Sequence, residues 1–289
     1  MKKNIRYIIT FVVIAFAIGY FFASKNKPIS TKPQETRNAT YNKKDYYPTL
    51  EKSTVNNVFE KKVYAGIVSH HQLVAPLISN FYLRLKKQKI KTVIILGPAH
   101  FYSGSGSAFV TEKNYNTPWG ILELDRVLSK DLIKSGVVRV EEQAFEGEHS
   151  IGLQVGYIKA VFPDVKILPI VLKRGQRLEN LQSLSKQINS LNKENLLVLA
   201  SLDFAHHVDN KTAKAQDQES LRYLNSIDFD SAKKINVDSQ ESLYVLLNYL
   251  FIPKSSYKFD YTNTNAAEFI NNLNLSDVTS YFFGYYYKD

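Results

Sequence analysis

Six histidines are the residues of this 289-residue chain best suited to chemistry near neutral pH: His70, His71, His100, His149, His206 and His207. They fall in four short segments, three of which share one grammar. In each, an apolar, strand-like run ends in a turn that presents histidine. Thr92-Val93-Ile94-Ile95 leads into Leu96-Gly97-Pro98-Ala99-His100, and Tyr64-Ala65-Gly66-Ile67-Val68-Ser69 into His70-His71. Leu196-Leu197-Val198-Leu199-Ala200-Ser201 leads into Asp203 and His206-His207. Open α/β sheets collect their ligands at the carboxyl ends of strands. Three strands that each end in histidine therefore point to one site assembled from distant parts of the chain. Imidazoles bind divalent transition metals, and a carboxylate completes the two-His-one-carboxylate set of non-haem Fe(II) sites. His70, His100, His206, Asp203, Glu148 and His149 are the candidates. Singly, each has a plainer role: a turn-capping histidine, an Asx-turn aspartate, a first-turn acid on a helix dipole. Their joint placement argues for chemistry. His71 and His207 each flank a stronger candidate and read as outer or structural groups.

Strand and helix patterns alternate from residue 63 onward and position these residues. Leu73–Leu85 has helical spacing and a basic end. Helices are also expected over Asp125–Ile133, from Glu148 through Val161, and over Leu178–Ile188, Thr212–Leu224 and Ser239–Leu250. Val137–Val140 and Lys166–Leu172 read as strands, as do the aromatic runs Tyr257–Tyr261 and Tyr281–Tyr287. This alternation predicts one α/β domain with a mixed central sheet flanked by helices. The Ser103-Gly104-Ser105-Gly106-Ser107 loop lacks the Lys-Ser/Thr of a P-loop and the spacing of a dinucleotide fingerprint. Ser69, Ser150 and Ser201 lie beside histidines, but none sits in a Gly-x-Ser-x-Gly elbow.

The first sixty residues differ in kind. Lys2, Lys3 and Arg6 precede an uncharged, mostly apolar run from Tyr7 to Ala23. As a helix this run spans about 25 Å, enough for a thin bilayer. A cleaved signal peptide is the rival reading, although Tyr20-Phe21-Phe22-Ala23 lacks a small-x-small cleavage pattern. The expectation is a signal anchor over residues 1–24, a basic linker over 25–60 and the folded domain over 61–289. The protein would then be a single-pass membrane protein with an extracytoplasmic domain. The formal charge is +10, and residues 1–62 hold 12 Lys/Arg against 4 Asp/Glu. The rest holds 25 against 23, so the basicity belongs to the anchor and linker, where it suits an anionic lipid surface. It argues against nucleic acid as a partner. The chain has no cysteine, which excludes a lipoprotein anchor and disulfides.

Four motifs carry a resemblance. Ile94-Ile95-Leu96-Gly97-Pro98-Ala99-His100, Asn116-Thr117-Pro118-Trp119-Gly120, Glu148-His149-Ser150-Ile151 and Ser201-Leu202-Asp203-Phe204-Ala205-His206 resemble the Memo family in order and spacing. Its bacterial branch is AmmeMemoRadiSam system protein B. The resemblance covers roughly residues 63–287, and the family is similar to the class III extradiol dioxygenases of the LigB type. It implies a metal site built from His70 and His100. The family's third ligand is a cysteine before a late helix, and its position falls near Asp238. A carboxylate there makes a harder site, suited to Fe(II), with Cu or Zn as alternatives. His149, Asp203 and His206 would line the pocket as acid/base or orienting groups. The family's Ala-Pro-His-Ala-Gly-Tyr segment reads Val68-Ser69-His70-His71-Gln72-Leu73 here, so His71 is a second claimant for the ligand position. The acid that commonly follows Glu-His-Ser-Ile is Gly152.

Three functions follow as expectations. The first is an iron-dependent, extradiol-dioxygenase-like oxidoreductase acting on a small molecule. The second is a non-catalytic module of the Memo type that binds a metal or a peptide. The third is a metal-assisted hydrolase.

Overall fold

The computed structural model describes residues 35–52, 57–191 and 194–289. The chain runs β1 (Thr36–Asn38), α1 (Lys43–Lys52), β2 (Val63–Val68), α2 (Ala75–Arg84) and β3 (Thr92–Pro98). Next come β4 (Ala108–Val110), β5 (Asn114–Thr117), β6 (Gly120–Leu124), α3 (Arg126–Lys134), β7 (Arg139–Val140), α4 (His149–Gly152) and α5 (Gln154–Val161). Then follow β8 (Lys166–Leu172), α6 (Leu178–Ser190), β9 (Leu196–Ser201), β10 (Phe204–Val208) and α7 (Asn210–Ser226). The chain ends with α8 (Gln240–Phe251), β11 (Lys258–Asn265), α9 (Ala266–Phe269) and β12 (Val278–Tyr287).

The expected mixed sheet is present. Its order is β1-β5-β6-β8-β3-β9-β2-β12-β10, with β11 on β12 and β4 on β8. The middle, β6-β8-β3-β9-β2, is parallel, while β12 runs antiparallel to β2. Parallel strands covered on both faces read as continuous apolar runs, which is why β3, β8 and β9 are legible at once. Val93, Ile95, Leu197 and Leu199 face α2 and α5, whereas Ile94, Leu96, Val198 and Ala200 face α6 and α8. In register, Leu96 lies opposite Ala200, and Val68 opposite Ser201. The carboxyl ends of β2, β9 and β3 thus stop at one level. Gly97 lets α4 approach, because a Cβ there would meet Ser150 Oγ at 2.6 Å.

The N-terminal boundary moves. Residues 36–52, expected in the linker, pack on the domain, whose compact unit begins at Glu35. β1 pairs in parallel with β5, and the Thr40 N–H donates to Gly152 O at 3.2 Å. Tyr46 of α1 is fully buried against Tyr157 and Trp119, with ring centroids 4.9 and 5.7 Å away. One aromatic anchor holds an otherwise polar helix, so the segment has no apolar periodicity to read. The expected anchor over residues 1–24 lies outside the described residues. Among the described residues, no helix is long and apolar enough to cross a membrane.

One buried acid stands apart from the histidines. Asp217 of α7 is 5% exposed and accepts a hydrogen bond from Asn263 Nδ2 at 3.1 Å. Burial pushes its carboxyl up from 3.8 to about 6, with Asn263 and Ser280 opposing and Glu268 adding to the rise. The folded state therefore holds an extra proton between about pH 4 and 6, and stability falls as pH rises through that window. Asp217→Asn is expected to gain on the order of 1–2 kcal/mol at pH 7.5 and nothing at pH 4, read by urea unfolding at both.

Candidate metal centre

Parallel register delivers three strand ends to one place. His70 follows β2 by two residues, His100 follows β3, and Asp203 separates β9 from β10. A fourth segment joins them through backbone pairing. Phe204 bridges Val237, the Ala205 N–H donates to Asn236 O at 2.8 Å, and the Asp238 N–H donates to Asp203 O at 3.1 Å. Asp238 then precedes α8, whose cap is Ser239. The N-terminus of α4 brings Glu148 and His149.

Asp238 is the focus. Its Oδ2 lies 3.0 Å from His70 Nε2 and 3.7 Å from His100 Nε2. Ligands at 2.0–2.2 Å from one ion stand about 3 Å or slightly more apart, so these separations suit a shared cation. Both Asp238 oxygens and His206 Nε2 are buried without an aligned hydrogen bond. Buried polar atoms are nearly always partnered, and a cation or ligand among them supplies the missing partner. Two groups have ligand atoms within 4.8 Å of one another: His70, His100 and His149, and His70, Asp203 and Asp238. Their residues fit a divalent ion.

The surrounding groups fix the imidazoles. Glu148 Oε1 lies 2.9 Å from His100 Nδ1, Oε2 accepts the His100 N–H at 2.8 Å, and Oε1 caps α4 through the Ser150 N–H. This carboxylate leaves His100 Nε2 to face Asp238. Ser201 Oγ lies 3.3 Å from His70 Nδ1 and itself donates to Ser150 O. Gln154 Nε2 donates to Ser69 O and Ser201 Oγ, at 2.9 and 3.0 Å. Asp203 Oδ1 accepts from Ser69 Oγ at 2.5 Å and from the His70 N–H at 3.3 Å.

Residues 40–260 match the family model described as Memo-like protein. The chain belongs to the Memo-like family. It is 28% identical over 171 residues to a "MEMO1 family protein" from Nitrosopumilus maritimus and 33% identical over 187 to one from Caldivirga maquilingensis. These matches cover 57% and 61% of this chain but only 62% and 65% of the relatives' lengths. A third, from Sulfurisphaera tokodaii, is 27% identical over 242 residues, covering 80% of this chain and 83% of its own.

In this Memo-like domain the histidine pairs divide. His70 enters the cluster, whereas His71 turns to Tyr281, its Nδ1 2.7 Å from the hydroxyl and its ring stacked on the phenol. Both His206 and His207 line the cleft, but His206 Nε2 is buried whereas His207 is exposed beside Asp277. His149 stacks on His100 with centroids 4.4 Å apart. Glu148 is the group a helix-start reading undervalues, because one residue caps α4 and orients His100. Arg174 escaped notice although it follows a strand end by the same rule.

Charge balances within the site. Burial disfavours the His70 imidazolium, but Asp203 and Asp238 outweigh it and hold its pKa at about 9. His100 is also held at about 9, burial being outweighed by Asp238 and Glu148. Burial, then the cationic His70 and His100, push His149 down to about 4, so its imidazole is neutral at pH 7. Burial also lowers His206. Protons thus occupy the ligand nitrogens when no cation does, and cation binding releases them. Glu148→Gln keeps the shape but removes the charge that orients His100. Calorimetric titration with Zn²⁺ is expected to show affinity reduced about 10–100-fold.

Proposed function

We propose that this Memo-like domain is a metal-dependent oxidoreductase of the extradiol-dioxygenase-like kind, with iron held by His70, His100 and Asp238. The observation that carries this reading is the approach of two imidazole Nε2 atoms to one buried carboxylate oxygen that has no aligned donor. Two nitrogens and one carboxylate form the donor set that suits Fe(II) while leaving positions open. When bound, the ion supplies Lewis acidity and one-electron exchange with O₂.

The remaining steps belong to side chains. The cleft of about 350 Å³ beside the cluster is lined by His100, His206, Asn236 and Asp238, a volume for a small molecule rather than a folded partner. His206 Nε2, buried, unpartnered and on an imidazole whose protonation burial disfavours, takes the proton of an acidic substrate hydroxyl. His149, neutral at pH 7, is the second proton acceptor. Asp203 positions His70 through its backbone N–H and Ser69.

The test is oxygen uptake by the full chain in detergent, loaded anaerobically with Fe(II) and given catechols. Uptake that matches catechol loss supports the proposal. Stoichiometric iron without uptake by any catechol overturns the oxidoreductase and leaves a metal-binding module. We further propose that residues 7–23, an uncharged and mostly apolar run, tether the domain to a membrane, with the domain on its outer side. Protection of the domain from protease added to intact cells contradicts that orientation.

A further inference from the structure

The strand-end rule has one more member. β8 neighbours β3 in the sheet and ends at Leu172, and Arg174 follows on the wall of the cleft. Among the described residues that line the cleft, Arg174 alone carries a permanent positive charge.

Its neighbours are committed elsewhere. Lys173 Nζ donates to Ser103 O at 3.0 Å and to Gly104 O at 2.5 Å, and Arg139 donates to Ser105 O at 2.5 Å. Arg174 makes no hydrogen bond or ion pair among the described residues. An unpaired surface arginine is common on a mobile loop, but this loop is fastened. Glu241, 8% exposed in the first turn of α8, accepts the Gly175 N–H at 2.6 Å and the Gln176 N–H at 3.4 Å through Oε1. Gly175 takes the left-handed turn at φ 81° that bends the loop back. Glu241, a carboxylate that lines the same cleft, therefore holds the backbone next to Arg174. The same cleft is lined by His206 and Asp238, whose Nε2 and carboxylate oxygens are buried without an aligned hydrogen bond. The cleft thus carries one unpaired guanidinium, on a fastened loop, together with buried acceptors that lack an aligned donor.

We propose that Arg174 is the anion anchor of this cleft, so that its ligand is a small organic molecule bearing an oxyanion, carboxylate or phosphate. The guanidinium holds the oxyanion while an oxygen at the ligand's far end meets the His70, His100 and Asp238 cluster. The second half rests on the metal-site reading, and the anchor does not. Guanidinium suits the role because its planar fork matches an oxyanion with two parallel hydrogen bonds. A neutral diol fits the volume but leaves Arg174 unpaired.

The test compares catechol with 3,4-dihydroxybenzoate on the Zn²⁺-loaded full chain by calorimetry. The acid is expected to bind about tenfold more tightly than catechol to the wild type and equally with it to Arg174→Gln. Arg174→Lys should recover part of the preference, and both variants should keep their zinc. Competition by benzoate and by inorganic phosphate then identifies which oxyanion the anchor prefers. Equal affinity of the two diols in the wild type, or a tenfold preference kept by Arg174→Gln, overturns the anchor. If the wild type binds no zinc, the metal reading fails separately. Benzoate titrated into metal-free wild type and Arg174→Gln then decides the anchor, which falls if the two bind alike.

Discussion

Asp238→Ala is expected to lower the affinity of the full chain for Fe(II) or Zn²⁺ by more than about a hundredfold, beyond the loss typical of removing an outer partner of a ligand. Asp238 Oδ2 is the point on which both imidazoles converge, 3.0 Å from His70 Nε2 and 3.7 Å from His100 Nε2. Without it, Asp203 is the nearest carboxylate, 3.7 Å from His70 Nε2 and already accepting from Ser69 and the His70 backbone. Asp238→Asn retains the shape and the backbone pairing to Asp203, and isolates the loss of charge. His71→Ala and His207→Ala serve as controls, since one side chain bonds Tyr281 and the other lies exposed beside Asp277. Both should leave affinity within about twofold, as peripheral substitutions do. Calorimetric titration under argon reads all four. An Asp238→Ala protein that binds metal like the wild type removes Asp238 from the site and turns attention to Asp203 and His149.

Tyr46→Ala is expected to destabilise the domain by about 3–5 kcal/mol, the range for deleting a buried aromatic ring. The ring is fully buried, its hydroxyl donates to Gly152 O at 3.2 Å, and a Cβ on Gly156 would strike it at 2.5 Å. It closes α1 over α4 and α5, the helices behind Glu148 and His149. Urea unfolding of the full chain measures the loss. Limited proteolysis shows whether cuts first appear within 35–52, as detachment of this arm requires. Were these residues only a tether, the substitution would change stability by less than about 0.5 kcal/mol.

The buried parallel core and most of the site were legible because both obey short-range rules. β8 occupies the span expected from its apolar run, and β3 and β9 end within two residues of their expected limits. Parallel register then brings the strand-end residues together without further information. What stayed hidden depends on the fold as a whole. β10 carries Ala205 at φ 41° and His207 at φ 56°, a backbone that residue preferences do not forecast and that buries His206 Nε2 while leaving His207 exposed. The β5-β6 hairpin is short and partly polar, so only its Thr117–Gly120 turn stood out. By contrast, the helix expected from Glu148 through Val161 does form, for Leu153 between α4 and α5 is itself helical at φ −73° and ψ −42°. Asp238 has no local signal at all. It was reached through a family resemblance, and its place in the cluster rests on backbone pairing between residues 203–205 and 236–238.

Metal content tests the central claim most directly. The full chain, purified in detergent, would be loaded anaerobically with Fe(II), Zn²⁺ or Cu, freed of loose metal and analysed by mass spectrometry of the elements. The proposed donor set predicts about one iron per chain, abolished in His70→Ala, His100→Ala and Asp238→Ala. A wild-type chain that retains no metal under any loading would contradict it and leave the cluster as a set of proton-bridged ion pairs beside a ligand pocket.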